Sequence, residues 1–403
     1  MNPPPHDVDL FDPEVLVDPT AAWDRLRESD PVHEMAGGLF VVTRHAAVAQ
    51  VRRDPDRFTV APFDAGLHDM FVTGEARARF EDAALAVRSP LATPPAQHAA
   101  PRRAVDAALG GAREARPFVR AIADDLLLRL GPEGECELLS DFCAPLSLTV
   151  AADRLGLPLE DLPRLSQWAE AWVRAYGYGM VHEVEQRVAD EVVALRRYLS
   201  DAIDERRAAP RRDGLGALAD SGLAAPALVA IAEQLLVGGS ESTTHALASG
   251  VRWLVERPEL ASTLRADPSA VPAFVEETLR LETPTRSVVR RAAEDALLCE
   301  VKVPAGRDLA LCLGAANRDP RVFPDPARLD LSRANAGDHL AFGGAAHDCP
   351  GAALARVQLA VGFEALLERW SFDCPVPPGD LAWAPSFTQR ALLALPLRYR
   401  TRS

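Results

Sequence analysis

Apolar positions recur at helical spacing over two long stretches, from Pro101 to about Leu130 and from Leu146 to Leu264. Turn formers break the second stretch at Gly156-Leu157-Pro158, at Gly177-Tyr178-Gly179 and from Pro210 to Gly216. A further helix is predicted over residues 272–282, "PAFVEETLRLE", with Pro272 suited to the first turn and Pro284 just beyond the end. The last long helix is predicted over 350–369. Strand-like patterns are shorter. "PVHEMAGGLFVVTR" (31–44) reads as a hairpin, and "HAAVAQVRRDP" after it as a helix ended by Pro55. "ALLCEVKVPAG", "RDLALCLGAA" and the tail "RALLALPLRYR" read as β. Residues 57–97 are irregular, and a loop that long in a compact domain is often functional. No repeat and no clean linker is visible. The pattern predicts one large, mainly α domain with small β-sheets, although 403 residues is long for a single core.

Composition changes this picture little. Apolar residues make up 48% and charged residues 25%, an ordinary globular balance. The net charge of -14 argues against a nucleic-acid partner. The six cysteines contain no C-x-x-C pair, which disfavours a zinc knuckle or a disulfide scaffold and suits a reduced compartment. "MNPPPHDVDLFDPEVLVDP" lacks the basic start and apolar run of a signal peptide or anchor, and no stretch approaches the roughly 20 apolar residues of a membrane span. A cytoplasmic protein without membrane attachment is expected.

Three stretches carry candidate chemistry. In "HLAFGGAAHDCPGAALAR" (339–356), Cys349 sits at a predicted helix start with glycines on both sides. Helix N–H groups stabilise a thiolate there, and the glycines let something flat and bulky approach. A metal or cofactor ligand, a catalytic thiol with His347 as base, and a buried structural cysteine all remain open. In "EETLR", Glu277 and Arg280 share one helical face, which by itself is no more than an ion pair. In "QLLVGGSESTTHALASG" (234–250), two mid-helix glycines cost about 1 kcal/mol each against alanine. A groove or bound ligand would offset that, with Glu241 and Ser242 placed to hold water; a packing notch is the alternative.

Together these stretches resemble the cytochrome P450 family, the soluble bacterial heme-thiolate monooxygenases, over nearly the whole chain and in the family's order. The signature Phe-Gly-x-Gly-x-His-x-Cys-x-Gly is met by Phe342, Gly343, His347, Cys349 and Gly351, with Ala345 in place of the second glycine. The Glu-x-x-Arg pair is Glu277 and Arg280, and its third partner would be Arg328 in "FPDPARLDL". The oxygen-activating stretch is Gly238-Gly239-Ser240-Glu241-Ser242, with serine at the usual threonine position. "PPAQHAAPRR" supplies His98 and Arg102, and "PTRSVVRRAAED" supplies Arg290.

The resemblance implies a triangular-prism domain over 1–403, β-rich about 31–60, helical about 101–283, with the heme-thiolate loop about 339–351. Cys349 would be the axial ligand of the iron of heme b, with Phe342 near the sulfur and Gly239, Gly343 and Gly351 in the cradle. His98, Arg102, Arg290 and His347 would neutralise the propionates, which would otherwise be buried uncompensated. Glu241 and Ser242 would deliver protons during oxygen reduction; serine lacks threonine's methyl, so its rotamer is freer and coupling leakier. Gln234, Val237, Gly238, Arg286, Val288, Val289 and Phe387 would line the substrate pocket, under a lid of residues 57–92 and Tyr176–Met180. If Gln234 and Arg286 point inward, the substrate is polar, or carries an anion or an amide.

Electrons would come from a ferredoxin and its reductase, docking on Arg102, Arg103, Arg113, Arg116 and Arg356. The expected reaction is hydroxylation or epoxidation, with O2, of a small natural-product intermediate of secondary metabolism such as antibiotic biosynthesis. Oxidative coupling or ring formation at the same heme is the alternative. A non-catalytic heme-binding relative is less favoured, since the cysteine and the acid–alcohol pair are both present.

Overall fold

The computed structural model describes residues 8–60, 75, 95–177 and 185–402. Most of the expected lid, residues 57–92 and Tyr176–Met180, lies outside the described residues. The helices begin with α1 (Pro13–Val17), α2 (Thr20–Ser29), α3 (His45–Arg53), α4 (Pro95–Leu109) and α5 (Arg116–Leu130). They continue with α6 (Ala144–Leu155), α7 (Leu162–Trp172), α8 (Gln186–Ala208), α9 (Gly214–Ala219) and α10 (Ala225–Glu256). The last are α11 (Pro258–Ala266), α12 (Val271–Glu282), α13 (Leu313–Ala316) and α14 (Ala352–Arg369). No described helix is long and apolar enough to cross a membrane.

The centre of the fold is α10. Its 32 residues extend about 48 Å at 1.5 Å per residue. It is apolar on nearly every side, as a helix enclosed by others must be. It packs against α6, α8, α12 and α14. The crossing with α14 is close because Gly250 has no side chain: a Cβ there would lie 2.2 Å from the Phe363 ring. Phe363 in turn meets Phe274 of α12, with ring centroids 4.8 Å apart.

The stretch from Pro101 to Leu130 is two helices rather than one. Gly110 adopts a left-handed φ of 63°, which ends α4, and Pro117 sits in the first turn of α5. The first of them also begins earlier than expected, at Pro95.

Three sheets flank the helices. The strands are β1 (Val32–Glu34), β2 (Phe40–Val42), β3 (Phe58–Thr59), β4 (Glu133–Glu137) and β5 (Ser287–Ala292). After them come β6 (Ala296–Leu298), β7 (Val301–Val303), β8 (Asp308–Cys312), β9 (Trp370–Asp373) and β10 (Pro396–Thr401). The largest sheet runs β1-β2-β8-β5-β3, with β2 and β8 parallel and the other pairs antiparallel. The hairpin β1–β2 forms where the pattern placed it. Strand β5 gave little signal because it carries two arginines, Arg290 and Arg291, in the middle of the sheet.

Beneath the sheet, Glu277 and Arg280 of α12 are fully buried. Arg280 donates to both Glu277 carboxylate oxygens, at 2.5 and 2.9 Å. It also donates to the carbonyls of Asn317, Pro326 and Arg328. Arg328 is therefore not the third side chain of this cluster. It contributes only its carbonyl, and its side chain is exposed. The second guanidinium is that of Arg333, whose Nε lies 3.1 Å from Glu277 Oε1. The proline-rich segment turns through Asp325 at a φ of 48°. That path turns the Arg328 carbonyl toward Arg280 and brings the next arginine in sequence to Glu277.

Candidate functional site

The cysteine loop crosses between the sheet and α14. The Cys349 amide donates to the Phe342 carbonyl at 2.7 Å and closes the loop on itself. Gly343 turns with φ 75° and Gly344 with φ 149°. At Gly344 a Cβ would lie 2.1 Å from Arg52 Nη2, so a side chain there would displace the Arg52 guanidinium. Ala345 has φ 58°, in the left-handed region where an L residue with a Cβ is strained. The sequence departs from the family signature at the one place where a glycine would relax the backbone. Ala345→Gly is expected to raise stability by about 1 kcal/mol, read as a higher urea midpoint at unchanged slope; an unchanged or lower midpoint would show that the strain is absorbed elsewhere.

Gly351 forms the N-cap of α14, and its N–H donates to the Cys349 sulfur. The thiol nevertheless sits above its ordinary pKa. Burial pushes it up, as does Asp348, against the Gly351 N–H and the charges of Arg102 and Arg356. The helix start alone does not make a thiolate here, which weighs against a free catalytic thiol. Coordination to a metal deprotonates a thiol outright.

Cys349 opens into a cavity of about 380 Å³. One wall is α10, through Gln234, Gly238, Gly239, Ser242, Thr243 and Ala246. A Cβ on Gly238 would meet nothing within 4 Å, and one on Gly239 only Ala151, at 3.7 Å. The two glycines thus thin the wall facing the sulfur, which is what offsets their helical cost. The opposite wall is the loop from Phe342 to Gly351, with Val288 of β5 beside it.

Cationic and imidazole groups gather at one side: Arg52, His98, Arg102, Arg290 and His347. His98 and His347 meet edge to face at 4.5 Å. Arg290 is half-buried, and among the described residues its one hydrogen bond is to its neighbour's carbonyl at Val289. Arg52 was not anticipated. It lies on α3, far from any motif, and its Nη1 is buried without a partner among the described residues. Burial and the adjacent Arg290 pull its pKa down to about 10. A buried guanidinium beside a half-buried one calls for an anion between them. Arg102 donates to Asp106 and to both the carbonyl and carboxylate of Asp348. Among the described residues no group of His, Cys, Asp and Glu could hold a bare metal ion. A flat apolar macrocycle with anionic groups on one edge and a thiolate-seeking metal at its centre fits this cavity. Cys349 would hold the metal, and Arg52, Arg290 and Arg102 the anionic edge.

The candidate pocket residues divide. Gln234, Gly238 and Val288 lie in the wall. Val237, Arg286, Val289 and Phe387 do not. Val237 is fully buried in the packing between helices. Val289 follows Val288 on a strand, so its side chain projects from the other face. Phe387 packs against Phe11, with ring centroids 5.1 Å apart and the planes tilted by 42°, near the N-terminal helices. Arg286 is buried rather than exposed, and donates to the carbonyls of Leu16, Val17 and Ser386. It ties α1 to the C-terminal loop and reaches no ligand. Thr243 and Gln358 also line the cavity; Gln358, one helical stretch beyond the cysteine, carries a buried Oε1 without a partner.

Glu241 lies outside the wall, one residue before Ser242. Burial pushes its carboxyl up to about 7, so near neutral pH it carries a proton much of the time. The Ser242 hydroxyl donates to the Gly238 carbonyl at 3.0 Å. The arginine patch is largely neutralised: Arg102 pairs with Asp348, Arg116 with Glu364 and Arg356 with Glu276. Glu276 also lies 3.1 Å from His339, and Arg356 sits over the Phe342 ring. These contacts brace the loop more than they offer charge to a partner.

Residues 179–396 match the sequence profile described as Cytochrome P450. The chain is 36% identical over 299 residues to the cytochrome P450 monooxygenase PikC of Streptomyces venezuelae, covering 71% of this chain and 69% of that one. It is 33% identical over 391 residues to the mycinamicin IV hydroxylase/epoxidase of Micromonospora griseorubida, covering 93% and 94%. The nocardicin C N-oxygenase of Nocardia uniformis subsp. tsuyamanensis is 35% identical, covering 89% of each. Among solved structures, a cytochrome P450 from Chondromyces apiculatus superposes with a TM-score of 0.86 at 30% identity, covering 99% of this chain and 100% of that one. An enzyme for C–S bond formation in chuangxinmycin biosynthesis superposes at 0.83 and 28% identity, covering 94% of each.

Proposed function

The chain belongs to the cytochrome P450 family, a heme-iron oxidoreductase family, and from that premise we propose that it is a monooxygenase of bacterial secondary metabolism. It uses O2 and two externally supplied electrons to hydroxylate or epoxidise a small natural-product intermediate. The cofactor is heme b, the electron donor a ferredoxin with its reductase, and the compartment the cytoplasm. The observation that carries the reading is the cavity that joins the Cys349 sulfur, the thinned α10 wall and the adjacent guanidiniums of Arg52 and Arg290.

Bound heme supplies a thiolate-ligated iron at which O2 is reduced and activated. The chain's own residues do the rest. Cys349 would hold the metal, and the Gly351 N–H would moderate the charge on its sulfur. Arg52, Arg102 and Arg290 would hold the carboxylates of the macrocycle. Gly238 and Gly239 leave room for O2 against α10. Glu241 holds a proton much of the time near neutral pH, and the next residue, Ser242, lines the cavity. Gln234 places an amide side chain in the cavity wall, which favours a substrate that bears a hydroxyl, carbonyl or amide. Arg286 has no part in this, so no anionic substrate group is inferred from it.

Oxidative coupling stays in view because a structural relative is described as forming a C–S bond. One experiment separates the two. The enzyme is supplied with NADPH, ferredoxin and reductase under 18O2, with hydroxyl-, carbonyl- and amide-bearing candidates. Product heavier by one 18O atom is expected. Product lacking two hydrogens and carrying no 18O would overturn oxygen insertion in favour of coupling.

A further inference from the structure

Helix α10 carries more buried polar groups than proton delivery at Ser242 uses. Ser240, Ser242 and Thr244 satisfy their hydroxyls locally, on helix carbonyls and, for Thr244, on Ser147 as well. Glu241, His245 and Ser249 do not. Glu241 Oε1, His245 Nδ1 and Ser249 Oγ are all buried without a hydrogen-bond partner among the described residues. The three residues are four apart, so they stand one above the other on a single helix face. That face lies beside the cavity wall and continues toward Arg252 and Glu256. There the row meets solvent: the Arg252 side chain is 11% exposed and that of Glu256 20%. Arg252 is also held by Glu282 at 2.8 Å.

We propose that Glu241, His245 and Ser249 form a proton-entry path along one face of α10, from the Arg252–Glu256 pair to the reaction cavity. The inference rests on the monooxygenase reading, since a path that resupplies Glu241 matters only if Glu241 spends protons. Neighbouring Cβ atoms in such a row are about 5–6 Å apart, too far for direct contact between short side chains, so the path requires a water at each step, held by the unpaired atoms above and below it. The protonation states suit the task. Burial alone pushes Glu241 up to about 7 and His245 down to about 4. Glu241 therefore has a proton to give, and His245 is neutral, with one ring nitrogen donating and the other accepting.

The balance is one proton in and one proton out. Glu241 gives its proton toward the cavity and is left as a carboxylate. A proton enters through water at the Arg252–Glu256 end and passes by way of the Ser249 hydroxyl. His245 accepts it on one nitrogen and releases the proton of the other through water to Glu241. Ser249 and His245 end neutral, and Glu241 is reprotonated. No electron moves along this path.

The test follows the Glu241 carboxyl itself. Heme-loaded enzyme is diluted into D2O, and the infrared carboxyl stretch, assigned by its loss in Glu241→Gln, is followed as it shifts on exchange. In His245→Phe the exchange is expected to slow about tenfold or more, and in His245→Gln, which keeps a donor and an acceptor, to return close to wild type. The solvent isotope effect on O2 consumption should rise in the phenylalanine variant. Ser249→Ala, a small change that the core tolerates, is expected to slow exchange in the same direction, and serves if His245→Phe does not fold. Wild-type exchange rates in both His245→Phe and Ser249→Ala, with a normal reduced carbon monoxide spectrum, would overturn the path alone. The monooxygenase reading would stand, because the spectrum reports on Cys349 and not on Glu241.

Discussion

Cys349→Ser is expected to leave the fold intact and abolish the chemistry. The cysteine packs nothing essential: it is exposed to the cavity, and the loop is closed by backbone bonds from its amide to Phe342. Serine preserves those bonds and the turn into α14. It offers a hard, poorly ionised oxygen in place of a soft thiolate, and the thiolate's electron donation is what favours O–O cleavage in heme enzymes of this type, as is established for the family. Melting should change by no more than a few degrees, while turnover falls by about 10³-fold or more. Turnover within tenfold of wild type would mean that Cys349 is not the ligand.

Glu277→Ala is expected to be the most destabilising single change on the helical side of the molecule. The Glu277 carboxylate is fully buried between Arg280 and Arg333 and also accepts the Asp330 amide at 2.8 Å. Removing it leaves two guanidiniums without their counter-charge, of which Arg280 is fully buried. Breaking a buried pair by deleting one partner costs about 3–5 kcal/mol, a large share of a typical total stability. The proline-rich segment that Arg280 holds through the carbonyls of Pro326 and Arg328 should loosen with it, and heme loading with that segment. Glu277→Gln, which keeps the shape and part of the hydrogen bonding, should fall between the alanine variant and wild type. A urea midpoint for Glu277→Ala within the error of wild type would contradict the clamp.

Much of this was legible in the sequence where chemistry imposes order. Cys349, its glycines and Phe342 lie within ten residues, and so close a spacing leaves the backbone few paths. The mid-helix glycines of α10 pointed to a cavity or a packing notch, and at Gly238 and Gly239 the open space shows a cavity. Legibility failed where the partner is distant or the chain irregular. Arg52 carries no local signal; only the close approach of α3 to Gly344 puts it beside Arg290. The third side chain at Glu277 fell to Arg333 instead of Arg328, since the path of a proline-rich loop decides which arginine arrives. Arg286 and Val289 were misplaced by position alone: alternation along β5 sends Val288 and Val289 to opposite faces. Arg286 found three carbonyls to satisfy before any ligand. Helix α1 and strands β4 and β9, of four or five residues each, are too short for a periodic signal, and both strands form by pairing with β10.

The central claim is that Cys349 ligates heme iron in the cavity under α10. Its most direct test is the visible spectrum of the purified wild-type protein, reduced with dithionite and saturated with carbon monoxide. A Soret band shifted strongly to the red, as a thiolate trans to carbon monoxide produces, is the predicted result. A band at the position given by histidine ligation, or no heme absorbance after reconstitution with hemin, would contradict it.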